Sequence, residues 1–209
     1  MRTLSAALGL SLLVMLVNGC AFGTRHAVLV YPPDQNAAIT NAPPPATAGK
    51  VALGTFSDAR SDKLVIGFVR NGYGSKTAEV HLDSDVVPFI TDAVRYELQQ
   101  AGWDIVDLST ATNSSIPVIS GEVLVLHCDA FMTYEGNASL SISVTRSGHE
   151  IFKKTYGGEA GGGLNWGMTG KSYGKTVSKA VQDALLGFIR DLPTAAPPES
   201  AARDLEAGK

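Results

Sequence analysis

The residues of this chain best equipped for chemistry lie in the turn Asp58-Ala59-Arg60-Ser61-Asp62. Two carboxylates flanking a guanidinium could serve as acid and base, bind a ligand or orient a partner; more often such charges close their own loop in a salt bridge. A second candidate is Gly167-Met168-Thr169-Gly170-Lys171-Ser172, which has the look of the end of a phosphate-cradling loop. That loop needs another glycine five positions before Gly170, so that successive N–H groups converge on phosphate, and position 165 is Asn. Ser172 therefore reads as a helix cap. The seven glycines from Gly157 to Gly170 read as a flexible connection, and no nucleotide is expected. The two cysteines, Cys20 and Cys128, and the four histidines, His26, His81, His127 and His149, show no zinc-like spacing, so neither metal nor cofactor is expected. Cys128 ends the apolar run Val123 to Cys128 beside Asp129, the setting of a buried structural thiol and not of a nucleophile. No group of Ser, His and Asp residues stands out as a nucleophile with its base, and no catalytic residue is assigned. The alternating hydroxyls Ser139, Ser141, Ser143 and Thr145 could meet a glycan but read as a solvated sheet face. Trp103 reads as core, and Trp166 as a residue that touches a partner.

The clearest chemistry is at the start of the chain. Arg2 precedes an apolar stretch, Ala6 to Val17, that is shorter than the about 20 residues needed to span a bilayer. Residues 1–19 read as a cleaved signal. Leu16-Val17-Asn18-Gly19-Cys20 resembles the lipobox of bacterial lipoproteins, with Asn18 its least usual member. That resemblance implies a thioether-linked diacylglycerol on Cys20 and an N-acyl group, palmitate being typical of such chains. Each buried CH₂ stabilises membrane attachment by about 0.8 kcal/mol, so several chains together form an effectively permanent anchor. Ala21, in place of Asp, implies sorting to the outer membrane with the body facing the periplasm.

The formal charge of the 209-residue chain is −3, and losing Arg2 with the signal takes it to about −4, with Lys and Arg scattered. Nothing in that distribution favours nucleic acid, so the expected partners are the membrane and an envelope protein or other envelope component. Residues 20–49 carry Pro32-Pro33 and Pro43-Pro44-Pro45 and read as an extended tether, interrupted by Ala27 to Tyr31, which could add a strand to a sheet edge. Residues 50–192 read as one globular domain and 193–209 as a disordered tail.

Within the domain, Val51 to Phe56 reads as a strand, and Leu64 to Arg70 with Thr77 to Leu82 as a hairpin around Asn71-Gly72-Tyr73-Gly74. Ser84 or Asp85 caps a helix whose stripe is Val87, Ile90, Val94, Leu98 and Ala101, closed by Gly102. Trp103 to Val106 returns as a strand. Pro117 to Tyr134 is apolar on both sides in its middle and reads as a long central strand, turned by Glu135-Gly136-Asn137 into Ser139 to Arg146. Ser147-Gly148 leads into His149 to Tyr156, completing an antiparallel meander. A last helix presents Val177, Val181, Ala184, Leu185, Phe188 and Leu192, and Pro193 is expected to stop it. These elements predict an α+β fold, a two-layer sandwich of a mainly antiparallel sheet with two amphipathic helices on one face.

In order along the chain, the lipobox, the proline-bearing tether, Asp58-Ala59-Arg60-Ser61-Asp62, Ile66-Gly67-Phe68-Val69-Arg70-Asn71 and Leu98-Gln99-Gln100-Ala101-Gly102-Trp103 resemble the YajG family of bacterial lipoproteins. Phe152-Lys153-Lys154-Thr155-Tyr156 and the helix Val177 to Leu192 continue that resemblance. It implies no catalytic residues. The expectation is a non-enzymatic, lipid-anchored accessory or binding module, contacting its partner through Asp58, Arg60, Asp62 or Trp166. The alternative is an envelope hydrolase or ligand-modifying enzyme with Asp58 or Asp62 as acid or base.

Overall fold

The computed structural model describes residues 23–34, 49–112, 114–164 and 169–195. In chain order these form β1 (Arg25–Ala27), β2 (Lys50–Asp58), β3 (Val65–Arg70), β4 (Lys76–Leu82), α1 (Val86–Gln100), β5 (Asp104–Val106), α2 (Leu108–Thr112), β6 (Val118–Ala130), β7 (Thr133–Arg146), β8 (His149–Leu164) and α3 (Gly170–Ala195). The fold is α+β, and its eight-stranded sheet is mixed: antiparallel pairing makes up most of it, as expected, but four strand pairs are parallel, so it is not purely antiparallel. Strands β6, β7 and β8 make the antiparallel meander. The other edge of β6 is shared: β2 runs parallel beside Val118 to Val123, and β3 meets it in parallel at Val69 and Ala130. Strand β5 adds to β2, and β1 to β4, again in parallel, while β3 and β4 form the expected hairpin. Tight turns force antiparallel pairing, whereas connections through helices are free to return a strand in parallel; side-chain alternation reports neither.

Local chemistry explains the elements. Asp85 caps α1 by accepting from the Val87 N–H at 3.1 Å. Gly102, at φ 80°, reverses the chain in the left-handed region, and the Trp103 N–H closes on the Leu98 carbonyl at 2.9 Å. The alternation of β7 buries Tyr134, Ala138, Leu140, Ile142 and Val144. Helix α3 completes the core with Val177, Val181, Ala184, Leu185, Phe188 and Leu192, all fully buried. Burying each of the large ones stabilises the fold by about 1.5–3 kcal/mol. Pro193 does not stop α3, which runs on to Ala195.

Three further expectations are corrected. The β6–β7 turn falls at Phe131-Met132, and Glu135-Gly136-Asn137 lie within β7. Gly136 is there because α3 crosses it: a Cβ would stand 2.8 Å from Thr176 Cγ2. Likewise Gly157 to Gly163 form the second half of β8, not a loop. At Gly158 a Cβ would lie 2.0 Å from the Ala180 carbonyl oxygen and 2.5 Å from the Ala184 nitrogen, so the backbones of β8 and α3 touch there.

The third correction concerns the tether, since residues 25–34 belong to the fold. Beyond β1, Leu29 is buried and its N–H donates to Ser84 Oγ at 2.8 Å. The segment lies against a stripe of small residues on α3. A Cβ at Gly170 would lie 1.6 Å from the His26 carbonyl oxygen, and one at Gly174 2.1 Å from that of Val28, while Ser178 Oγ accepts from the Val30 N–H at 3.4 Å.

Gly158→Val should lower the stability measured by denaturant titration by about 1–3 kcal/mol or more, because rigid backbone has to move. Gly157→Ala, whose Cβ meets nothing within 4 Å, should stay within about 0.5 kcal/mol of the parent.

Candidate functional site

The charged turn occupies the joint where the edge of β6 passes from β2 to β3. The Ala59 N–H bonds the Val123 carbonyl at 3.0 Å, ending the β2 ladder. Arg60 then folds back: Nε and Nη2 donate to the two Asp58 carboxylate oxygens at 2.9 Å each, and Nη2 also donates to the Lys63 carbonyl at 2.9 Å. Asp62 Oδ1 accepts the Leu64 and Val65 N–H groups, both at 2.9 Å, and so starts β3. The structure thus brings all three residues together, but as the mortar of a broken strand. The Arg60 side chain is only 4% exposed, and its Nη1 is buried with no acceptor among the described residues.

Electrostatics follow the same geometry. Burial opposes ionisation of Asp58, but the hydrogen bonds and charge of Arg60 outweigh it and hold the carboxyl below its usual range. The Val65 and Leu64 N–H groups hold Asp62 low in the same way. Both carboxylates are ionised and engaged, which is the opposite of a poised general acid. Beside them, Arg60, Ser61, Asp62, Val65, Phe68 and Leu124 to His127 line an open cavity of about 280 Å³.

Two other depressions flank the sheet. Thr55, Ser57, Ser120, Glu122, Ser141, Ser143 and Lys153 line one on the hydroxyl face, also about 280 Å³. The other, about 260 Å³, lies between β8 and α3 and holds Tyr134, Ser172, Lys175, Thr176 and Lys179. At this depression Gly170-Lys171-Ser172-Tyr173-Gly174 has the spacing of a nucleophile elbow. In the structure it is the first turns of α3. Ser172 Oγ bonds Thr169 Oγ1 at 3.0 Å, no histidine lines the cavity, and both glycines are taken up by contact with the N-terminal segment. The two lysines pair with Asp34, whose carboxyl their hydrogen bonds hold low.

Sequence reasoning also missed a buried junction. Glu97, on α1 and only 5% exposed, accepts from Tyr31 Oη and from Gln182 Nε2, the latter at 3.1 Å, so it ties the N-terminal segment to both long helices. Burial and the adjacent carboxylate push the Tyr31 phenol far above its ordinary range. The only sequence signal was a glutamate within an apolar stripe. Cys128 is fully buried and its thiol is pushed up to about 12, first by burial and then by Asp129. Trp103 is buried in the core. Cys20 and Trp166 lie outside the described residues. Among the described residues no three His, Cys, Asp or Glu side chains converge as a metal would need, and no helix is long and apolar enough to cross a membrane.

No protein-family profile and no curated protein matches the sequence. The fold is nevertheless found among solved structures. Protein XCC0632 from Xanthomonas campestris, a DUF330 protein, superposes with a TM-score of 0.54 at 10% identity, over 88% of this chain and 99% of its own. PelC from Paraburkholderia phytofirmans, solved as a dodecamer, gives a TM-score of 0.40 at 12% identity over 68% of this chain and 90% of its own. Lipoprotein GNA1162 from Neisseria meningitidis gives 0.34 at 8% identity, covering 54% of this chain and 83% of its own. The first of these shows a shared fold.

Removing Asp58 strands a buried guanidinium, so Asp58→Ala should cost about 3–5 kcal/mol in denaturant titration. The depressed carboxyl also sets a pH dependence. From its ordinary value of 3.8 upward its contribution is complete, and it fades as pH falls below 3.8 through the lowered folded value. Stability of the wild type should therefore fall with acid over that window, and Asp58→Asn should show a shallower fall; identical slopes would contradict the assignment.

Proposed function

We propose that this chain is an envelope lipoprotein of the YajG kind, acylated on Cys20, held at the outer membrane facing the periplasm, and acting as a non-enzymatic binding or accessory module. The observation that carries the anchored reading is the N-terminal segment. Arg25 to Ala27 pair with β4, Tyr31 reaches Glu97, and Asp34 reaches Lys175 and Lys179. Only a few residues separate Cys20 from this built-in segment, so acyl chains on Cys20 would hold the body itself against a membrane. We read α1 and α3, which share Glu97, as one layer over the sheet.

The non-enzymatic reading rests on the condition of the acids. Asp58, Asp62, Asp34, Asp129 and Asp191 each already hold a cation or backbone N–H groups. The contact surface we favour is the joint at the charged turn, with its roles redistributed. Asp58 and Arg60 shape it from inside, while exposed Ser61, Asp62, Leu124 and Val125 touch the partner. Partners here are envelope proteins or other envelope components, with neither nucleotide nor metal required.

Mass spectrometry of the mature protein should find it beginning at an acylated Cys20, and Cys20→Ser should move it from the membrane to the soluble fraction. A photo-crosslinking residue at Ser61 or Val125 should capture an envelope component that the same residue at Glu150, on the far hairpin, does not. A mature chain starting elsewhere and free of acyl groups would refute the anchor.

A further inference from the structure

One end of the sheet is built differently from the other. Strands β3 and β6 run in parallel and are paired at Val69 and Ala130, so the hairpin tip that follows β3 and the turn that follows β6 emerge side by side. Arg70 joins them: Nε and Nη2 donate to Asp129 Oδ2 at 2.9 and 2.6 Å, and Nη1 donates to the Gly74 carbonyl at 3.0 Å. On these cross-tied tips stand Tyr73, 95% exposed, Met132, 68%, and Phe131, 43%. The opposite end turns through Ser147-Gly148, flanked by Arg146, His149 and Glu150. At that end Ile151, 43% exposed, lies on strand β8 and the turn itself is polar, whereas here the apolar side chains stand on the turns, an expensive arrangement in water and a favourable one at a lipid surface.

The chain itself enters the fold at that end. β1 runs parallel to β4, and Arg25 is level with Val80, four residues on from Lys76 at the tip of the hairpin. Four strand residues are about 13 Å. The five residues from Cys20 to Arg25 can span at most about 17 Å. An acylated Cys20 can therefore pass the level of Lys76 by only about 4 Å, which puts it beside the tips that carry Tyr73 and Met132. If the acyl chains lie in a bilayer, the tips are at its surface.

We propose that the β3–β4 and β6–β7 tips form a membrane-docking face that seats Tyr73, Phe131 and Met132 in the headgroup region of the bilayer carrying the anchor. The long strand axis then stands away from the membrane and presents the Ser147-Gly148 end to the periplasm, about 40 Å distant along β6 and β7. The proposal rests on the anchored reading above. A protein partner or a second copy of this chain seated on the tips is the competing occupant.

The test uses the full-length, processed protein reconstituted into phosphatidylethanolamine–phosphatidylglycerol vesicles containing nitroxide-labelled lipid. An environment-sensitive fluorophore is attached at Tyr73→Cys, Met132→Cys, Leu108→Cys or Glu150→Cys, all at exposed positions; Cys128 is buried and does not compete. Expected are a blue-shifted emission and several-fold stronger lipid quenching at positions 73 and 132 than at 108 and 150. Acylated, vesicle-bound protein with all four labels equally unquenched would overturn the docking face and leave the anchor intact. Protein recovered unacylated and unbound would overturn the anchored reading itself.

Discussion

The architecture depends on how closely helix α3 lies to its neighbours. On one side it meets the sheet backbone to backbone, where Gly158 faces Ala180 and Ala184 and Gly136 faces Thr176. On the other it carries the N-terminal segment on Gly170, Gly174 and Ser178. Any side chain at these glycines would displace rigid backbone, and packed interiors have little slack to absorb that. The same closeness lets Asp191 on α3 accept from Lys154 and Tyr156 of β8, at 2.7 and 3.0 Å.

From this contact follows the position of everything functional. Because α3 holds residues 25–34 in place, the chain leaves Cys20 and enters a rigid body within a few residues. The remaining length, through Pro43-Pro44-Pro45, lies between that body's first segment and β2. The charged turn closes its own loop through Arg60 and Asp58, as the plainer sequence reading had it, and forms a structural joint that allows two successive strands to share one edge of β6. A buried ion pair of this kind adds little net stability while intact, but losing one partner leaves the other charge buried and uncompensated. What the joint leaves exposed is an open, partly apolar surface, the one proposed above for contact with a partner.

Much of this was legible in the sequence, and the failures share a physical cause. Period-two alternation located β7, and three- and four-residue spacing located the buried faces of α1 and α3, because those patterns arise from burial against a single surface. Asp85 and Gly102 marked the ends of α1. Glycine misled wherever closeness, not turning, required it: Gly136 suggested a turn, and Gly157 to Gly163 a loop. The actual turn, Phe131-Met132, was hidden because its residues are apolar. At the candidate site the identity of Asp58, Arg60 and Asp62 was readable, but how deeply Arg60 is buried was not. Nor were Tyr31–Glu97 or Asp34 with its two lysines, which are brought together across most of the chain.

The central claim is that residues 25–34, a few positions after Cys20 in the sequence, are part of the folded body. Amide hydrogen exchange on the acylated, membrane-bound protein tests it most directly, because exchange reports local opening. The account predicts that amides from Ala27 to Tyr31, including those of Leu29 and Val30 bonded to Ser84 and Ser178, are protected to the same order as those of β3 and β4. Exchange of that segment at the rate of an unstructured peptide would contradict it.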